Sequence, residues 1–304
     1  MRTDIEKLFS QQMEQSERFS KAFSSLAQSQ TREIEFEGFS YTLQLNPSRI
    51  KSSTANISRP LGEENCFLCK PNMPAEQIKM DWDGEFFISV NPYPILDRHL
   101  TIISHTHRPQ TIHGNTMRML ELARYAGEGI TVFYNSPKSG ASAPFHCHFQ
   151  AGLTSCLPAF RQIESIRDKY TIREYSNAWI IKEPTRGIIL IENGDIVSAE
   201  RQMTEALCQI SDIYNNPEPE ANIGATINDG KYRIIIFPRE KHRPMEYSRE
   251  DDRRILVSPG FADMAGMIPC VLTNNYNEIS KADITSIMNQ VSIPVEKLTK
   301  VIMK

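Results

Sequence analysis

One stretch of the chain, residues 135–150 (NSPKSGASAPFHCHFQ), restricts the possible folds more than any other. It follows the apolar run 130–134, which predicts a buried strand, and it begins with a loop rich in Ser, Gly, Pro and Lys. Side chains alternate along an extended strand, so His146, His148 and Gln150 are predicted to point the same way. The stretch therefore predicts a strand that presents two imidazoles and a carboxamide on one face.

The loop before this strand favours a phosphate site. Its backbone N–H groups and Lys138 are suited to hold an anion. Histidine is the side chain best suited to act near neutral pH as a nucleophile, a base or a metal ligand. On spacing alone, two histidines two residues apart are ordinary strand residues, so it is the loop that favours a functional interpretation.

Residues 140–150 (GASAPFHCHFQ) resemble the active-site motif of the transferase branch of the histidine-triad superfamily, His-x-His-x-Gln. That branch includes galactose-1-phosphate uridylyltransferase, diadenosine tetraphosphate phosphorylase and GDP-L-galactose phosphorylase, and the hydrolase branches have a third His in place of the Gln. The resemblance implies that His148 is the nucleophile. Several members have Pro directly before the first His, whereas here Phe145 intervenes. Which serine contacts the phosphate is therefore open, and Ser142 is the first candidate.

The resemblance implies an α+β fold with a histidine-triad-like antiparallel sheet, built from two such halves and flanked by helices. We expect an N-terminal helix within residues 1–30, a catalytic half at 31–160 and a second half without the His pair at 161–304. In the first segment, apolar residues at helical spacing predict one amphipathic helix over residues 4–28.

The second half repeats the order of strands, helix and strands. Strands are predicted at 178–182 and 187–192, a helix at 198–214, and a hairpin around Asp229 and Gly230, which is a strong turn signal. The uridylyltransferases likewise hold a second half that has lost the catalytic motif, so the resemblance implies that this half helps to bind substrate.

Cys66 and Cys69 form a C-x-x-C pair, which is typical of half a zinc site, of a redox pair or of unrelated thiols. The resemblance implies two further ligands, a His at the end of the second core strand and the first His of the motif. These are His107, with His105 as the alternative, and His146. Such a tetrahedral S₂N₂ zinc site is expected to be structural, and no metal is required for catalysis. Zinc and empty thiols both remain open.

Basic and amide side chains near these motifs are candidate substrate contacts. The resemblance implies that Arg49, with Arg59 as second choice, lies near the nucleotide and that Asn91 lies near the ribose. The basic turn 239–243 follows a predicted strand and is suited to hold a phosphate, although exposed basic turns are usually just solvated. The candidate substrate-binding residues are Arg49, Asn91, Asn135, Lys138, Ser142 and Lys241.

Composition excludes several classes of protein. The net charge of −3 gives no general attraction to nucleic acid or to anionic membranes. No apolar run approaches the roughly 20 residues that span a bilayer. The polar N-terminus lacks the apolar core of a signal peptide, so a cytoplasmic location is expected. The six cysteines are then expected to be thiols or ligands. A homodimer is left open.

Together these expectations predict a nucleotidyltransferase or phosphorylase. It would move a nucleoside monophosphate from a nucleoside diphosphate sugar or dinucleoside polyphosphate to phosphate or a sugar 1-phosphate, through a nucleotidyl–histidine intermediate. Gln150 has no ionisable proton near neutral pH, which favours transfer over hydrolysis. The alternatives are a nucleotide hydrolase of the same fold and a non-catalytic nucleotide-binding protein. The base, the sugar and the acceptor are left open.

Overall fold

A computed structural model describes residues 2–50 and 62–302 of the chain. The helices of these ranges are α1 (Thr3–Gln15), α2 (Glu17–Ala27), α3 (Thr116–Ala126), α4 (Pro158–Tyr170), α5 (Ile196–Tyr214), α6 (Phe261–Met264), α7 (Thr273–Glu278), α8 (Lys281–Val291) and α9 (Val295–Leu298). The strands are β1 (Thr31–Phe36), β2 (Phe39–Leu45), β3 (Met80–Trp82), β4 (Phe86–Val90), β5 (Leu100–Ser104), β6 (Ile130–Asn135), β7 (His148–Leu153), β8 (Thr171–Tyr175), β9 (Ala178–Lys182), β10 (Gly187–Asn193), β11 (Ala221–Asn228), β12 (Lys231–Pro238) and β13 (Met267–Cys270).

Ten strands form one sheet in the order β3-β4-β5-β7-β6-β11-β12-β10-β9-β8, and every neighbouring pair is antiparallel. The order within each half is the same: β3-β4-β5-β7-β6 is matched by β8-β9-β10-β12-β11, and one helix, α3 or α5, follows the third strand of each half. The pairing of β6 with β11 joins the halves. The α+β class is confirmed, and the chain boundary at residue 160 stays a prediction.

Apolar side chains cover both faces of this sheet. One face packs against α1, α3 and α5, and the other packs against α4, α6, α8 and a smaller sheet of β1, β2 and β13. Because both faces are buried, central strands such as β12 carry an almost continuous apolar run instead of an alternating one. The hairpin predicted between β11 and β12 is present, with positive φ at Asp229 (48°) and Gly230 (71°), as a tight type I′ turn requires.

The single helix predicted over residues 4–28 is wrong. The chain forms two helices, because Ser16 has an extended backbone (φ −137°, ψ 110°) that ends α1 and precedes α2. Apolar spacing alone does not reveal this break, since the side chains on both sides of it pack into the same core: Ile5, Leu8 and Phe9 from α1 and Phe19 from α2.

No helix within residues 2–50 or 62–302 is both long enough and apolar enough to cross a membrane. The cytoplasmic location and the homodimer stay predictions.

Gly224 on β11 leaves the space in which α6 packs on the sheet. A Cβ added at Gly224 would lie 2.1 Å from Cζ of Phe261, whose ring is fully buried and stacks on Phe133 at 4.9 Å. The ring of Phe261 can therefore pack on the sheet at this point because Gly224 has no side chain.

Substituting Gly224→Ala is expected to lower the free energy of unfolding by about 1–3 kcal/mol, as is typical of overpacking a core. Urea denaturation measures the effect. Gly194→Ala is the matched control, because a Cβ there meets open space and the backbone is not strained. Equal stability of the two variants would show that Phe261 moves away without cost.

Candidate active site

A cavity of about 540 Å³ lies where the two halves meet, beside β5, β6 and β7. Most of its lining comes from three parts of the chain: the segment from residue 67 to 103, the loop from residue 135 to 143, and the C-terminal segment from residue 242 to 269. The rest comes from Arg18, Arg49, Phe133, His148 and Gln150. A cavity of this volume is of the size that holds a nucleotide-sized ligand. The predicted site residues that line it are Arg49, Asn91, Asn135, Ser142, His148 and Gln150.

Strand β7 places His148 and Gln150 side by side in the cavity wall. In the sheet, His148 is paired with Ile103 and Gln150 with Thr101. The prediction that His146 shares this strand face is wrong. The strand begins at His148, and the N–H of His146 donates to the carbonyl of Ala143 (3.2 Å), so the chain is turned and not extended there.

The hydrogen bonds of His148 fix its tautomer. Its Nδ1 donates to the backbone carbonyl of His146 (2.7 Å), which leaves Nε2 as the ring nitrogen with a lone pair. Burial lowers the pKa of His148 to about 4, outweighing the opposing effect of the carbonyl of His146. The ring is therefore neutral near pH 7, with a nucleophilic nitrogen that has no hydrogen-bond partner within the described residues.

A second histidine orients Gln150. Nδ1 of His99 accepts from the backbone N–H of Ile95 (3.2 Å), so the proton is on Nε2, which donates to Oε1 of Gln150 (2.9 Å). Since the amide oxygen is used in this way, the amide N–H groups are the part of Gln150 available to a ligand. His99 was not predicted as a site residue from the sequence. The feature that could have indicated it is its place at the start of the apolar strand β5.

Arg49 and Asn91 both line the cavity. Nη1 of Arg49 donates to the carbonyl of Tyr93 (2.9 Å), and its charge acts on His99 and Asp263. Burial lowers the pKa of Arg49 to about 10, so the guanidinium stays charged at neutral pH. Asn91 donates to Thr101 (3.0 Å) and accepts from Tyr93 N (2.9 Å). Arg59 lies outside the described residues.

The loop after β6 separates the main cavity from a second one of about 430 Å³. Ser142 faces the main cavity, whereas Lys138 and Lys241 line the second. The structure therefore does not bring the two lysines together with His148. The loop rests directly on the C-terminal segment: a Cβ at Gly140 (φ +94°) would lie 2.6 Å from Cα of Gly260. Only glycine permits this approach.

Asn135 has a mainly structural position. Its side-chain oxygen accepts from the N–H of Phe261 (2.7 Å) and from Nδ2 of Asn222 (2.7 Å), and the side chain lines the cavity as well. It thereby ties the end of β6 to helix α6. The wall beside this contact includes Arg243, Ser258 and Asp263. Arg243 belongs to the basic turn 239–243 that was predicted to suit a phosphate, whereas Ser258 and Asp263 were not predicted as site residues.

Cys66, Cys69, His107 and His146 form the expected cluster, with ligand atoms that all lie within 4.8 Å of one another. Nδ1 of His146 is 3.3 Å from Sγ of Cys66, and Nδ1 of His107 is 3.3 Å from Sγ of Cys69. Tetrahedral zinc sites with usual bond lengths place sulfur and nitrogen about 3.5 Å apart. The residues therefore fit a metal ion. His105 is elsewhere, with Nε2 bonded to Asp81 (2.6 Å).

Comparisons with known proteins agree on the architecture. The structure of yeast Ap4A phosphorylase Apa2 superposes with a TM-score of 0.60 at 15% identity, over 93% of this chain and 94% of that one. Its complex with Ap4A gives a TM-score of 0.62 at 12% identity, over 93% and 97%. The chain therefore shares the fold of this phosphorylase.

Two sequence comparisons complete this result. Residues 8–153 match a family described as a domain of unknown function, DUF4922. Among curated proteins, none matches this sequence. An ADP-glucose phosphorylase from Arabidopsis thaliana with bound ADP-glucose superposes with a TM-score of 0.40 at 15% identity, over 87% of this chain and 100% of that one. The resemblance inferred from residues 140–150 is thus confirmed for the fold.

Buried His99 makes stability depend on pH. Burial lowers its pKa in the folded protein to about 3, whereas an unfolded histidine has a pKa near 6.5. Below about pH 6.5 this histidine is therefore protonated in the unfolded chain but not in the folded one. Protonation favours the unfolded chain, so the free energy of unfolding falls as the pH drops from 6.5 toward 3.

Between pH 6 and 5, the unfolding free energy of His99→Gln should fall by about 1 kcal/mol less per pH unit than that of the wild type. Gln at this position keeps a donor for Gln150. Urea denaturation at several pH values measures both slopes. Parallel slopes for the wild type and the variant would contradict a buried, neutral His99.

Proposed function

We propose that this chain is a nucleotidyltransferase that works through a covalent nucleotidyl adduct of His148. The observation that carries the proposal is the neutral imidazole of His148, whose Nδ1 is held by a carbonyl and whose Nε2 has no partner in a cavity of about 540 Å³. A lone pair held in one orientation beside room for a phosphate is what in-line attack on phosphorus requires.

The reaction then has two balanced displacements. Nε2 of His148 attacks the α-phosphorus of a nucleoside diphosphate sugar or a dinucleoside polyphosphate. A P–N bond forms, the P–O bond to the leaving group breaks, and a sugar phosphate or nucleotide departs with that oxygen. An oxygen of the acceptor, phosphate or a sugar 1-phosphate, then attacks the same phosphorus, and the P–N bond breaks with return of the lone pair to Nε2.

Donors near His148 would stabilise the charge that collects on the non-bridging phosphoryl oxygens. The amide N–H groups of Gln150 are available for this, because His99 occupies its oxygen. Arg49 supplies a positive charge in the cavity, and Ser142 with the loop after β6 supplies a hydroxyl and backbone N–H groups. Lys138 and Lys241 would act on the far side of the loop, through the second cavity, on longer polyphosphates.

The ligands of similar structures suggest the first substrates to test. Yeast Apa2 was solved in complex with AMP and in complex with Ap4A, and the plant protein holds ADP-glucose. Adenine nucleotides are therefore the natural first donors, with uridine and guanosine counterparts in the same screen.

Hydrolysis on the same fold is the second candidate, and Gln150 argues against it. A carboxamide cannot take a proton from water, so attack by water on the adduct would lack a general base at this position. A nucleotide-binding protein without turnover is the third, and the orientation of His148 argues against it, since binding alone does not need a free ring nitrogen.

The decisive test is capture of the adduct. Incubation with α-³²P-labelled ADP-glucose and Ap4A should label the protein with an acid-labile, alkali-stable phosphoramidate, and His148→Asn should abolish the label. Asn retains a donor for the carbonyl of His146, so loss of fold is not the expected cause. His113→Asn, at an exposed position outside the cavity, is the control that keeps the label.

Release of the label distinguishes the rival functions. Transfer requires that the label leaves at least tenfold faster when phosphate or a sugar 1-phosphate is added. Equal release in buffer alone would indicate a hydrolase, and an unlabelled protein that still binds nucleotide would indicate a binding protein.

We also propose that Cys66, Cys69, His107 and His146 hold a structural zinc ion. Nε2 of His146 donates to the carbonyl of Ser104 (2.8 Å), which leaves Nδ1 for the metal. Metal-bound histidines usually donate their other ring N–H to such an acceptor. The ion would tie the Cys66–Cys69 turn to His146, whose carbonyl holds the His148 ring. Its part is therefore to place the nucleophile, and the chemistry at phosphorus belongs to His148.

Purified protein is expected to contain about one zinc per chain, and Cys69→Ser should lose it together with several degrees of thermal stability. Elemental analysis and a thermal melt measure the two effects. Cys208→Ser, at an exposed position outside the cluster, is the control that should keep both. Full stability of metal-free wild type would reject a structural role for the metal.

A further inference from the structure

A buried carboxylate lies in the wall of the main cavity, and the proposed transfer does not use it. Asp263 is on the short helix α6, is 8% exposed and lines the cavity. The helix is held in place by two contacts of Phe261: its N–H donates to Asn135 (2.7 Å), and its ring stacks on Phe133 at 4.9 Å. Asp263 is therefore positioned by the sheet and is not on a free loop.

Only one oxygen of this carboxylate is occupied. Oδ2 accepts from the N–H of Gly260 (2.9 Å), and Oδ1 has no partner outside its own residue among residues 2–50 and 62–302. Oδ1 is therefore available in the cavity wall, and the few polar groups of such a wall fix the orientation of a ligand.

The positive charges around Asp263 do not compensate for its burial. Those of Arg49 and Arg239 act on it, yet burial still raises the pKa of Asp263 to about 6. Arg239 donates to Asn222 (2.5 Å) and to the carbonyl of Pro259 (2.8 Å), and none of its hydrogen bonds goes to Asp263. Arg239 is thus satisfied without this carboxylate.

The chemistry of a carboxylate limits what can meet it. An ionised carboxylate only accepts hydrogen bonds, and it repels a phosphate oxygen. In a cavity otherwise suited to phosphate, Asp263 therefore fits the part of a ligand that donates, and the uncharged donors of a sugar phosphate are its hydroxyls.

We propose that Asp263 is a specificity-determining residue that accepts a hydrogen bond from a sugar hydroxyl of the substrate that approaches from the C-terminal wall. This inference rests on the proposed nucleotidyl transfer and makes it more specific: the group beyond the transferred phosphorus carries a sugar, so bare inorganic phosphate is the poorer acceptor. The hydroxyl belongs either to a hexose phosphate or to the ribose of a second nucleotide.

Calorimetric titration tests this without turnover. The wild type is titrated with α-D-glucose 1-phosphate, ribose 5-phosphate and methyl phosphate, the last being a phosphate monoester without hydroxyls. At least one of the two sugar phosphates should bind at least tenfold more tightly than methyl phosphate. The one that does identifies a hexose or a ribose as the source of the hydroxyl.

Asp263→Asn should reduce that preference and leave the affinity for methyl phosphate equal or higher. Asn keeps an oxygen that can accept from Gly260 N, but an uncharged N–H group toward the cavity replaces the charged acceptor, and its bond to the hydroxyl oxygen is weaker than the bond from the hydroxyl to a carboxylate. Asp263→Ser is the second variant, in case the first does not fold. Asp251→Asn, an exposed carboxylate paired with Arg249 outside the cavity, is the control for loss of one charge.

Three results would overturn the role of Asp263: no sugar preference in the wild type, a preference that is undiminished in the folded variants, or no binding of any of the three. An unlabelled His148 would instead overturn the proposed transfer and leave this comparison intact, because binding is measured with no reaction.

Discussion

The hydrogen bond from Nδ1 of His148 to the carbonyl of His146 is the interaction on which the candidate site depends. This hydrogen bond sets the tautomer of His148. It also connects the ring of His148 to the Cys66–Cys69 turn through His146, whose side chain contacts the two sulfurs while its carbonyl holds the ring of His148. The turned backbone at His146 makes both contacts possible. A straight strand through this residue would place both imidazoles in the cavity and take from Cys66 its contact with the imidazole nitrogen of His146.

The second constraint comes from the C-terminal half. Its strands repeat the order of the first half, but its contribution to the cavity is not a copy of the histidine motif. It supplies a wall through residues 256–263, held by Arg239, Asn135 and the contact of the loop at Gly140. The first half thus provides the ring of His148, and the second half provides this wall of the same cavity.

Much of this could be predicted from the sequence, because it depends on local patterns. The apolar run of β6, the Asp229–Gly230 turn and the C-x-x-C pair each depend on a few neighbouring residues, and the resemblance of residues 140–150 supplied the expected fold. The family resemblance also favoured His107 and left His105 as the alternative, and His107 is the one that lies in the cluster.

What could not be predicted depends on contacts between distant parts of the chain. The basic turn 239–243 was recognisable in the sequence, but the cavity that each of its side chains faces depends on how the turn leaves β12. His242 and Arg243 line the main cavity, and Lys241 lines the second one. Asp263 shows no local signal of function, and His99 shows only its place at the start of β5. The role of Asp263 depends on burial beside the charge of Arg49, and that of His99 depends on Gln150 on the next strand.

The pairing of β6 with β11 has a further consequence for how the polypeptide can be divided. Both strands lie in the middle of a ten-stranded sheet, so a fragment ending near residue 160 would expose the full main-chain edge of β6 together with its apolar neighbours. Bare central edges recruit other strands. The separate halves are therefore expected to reassociate or aggregate, and insertions or fusions belong at the outer strands β3 and β8.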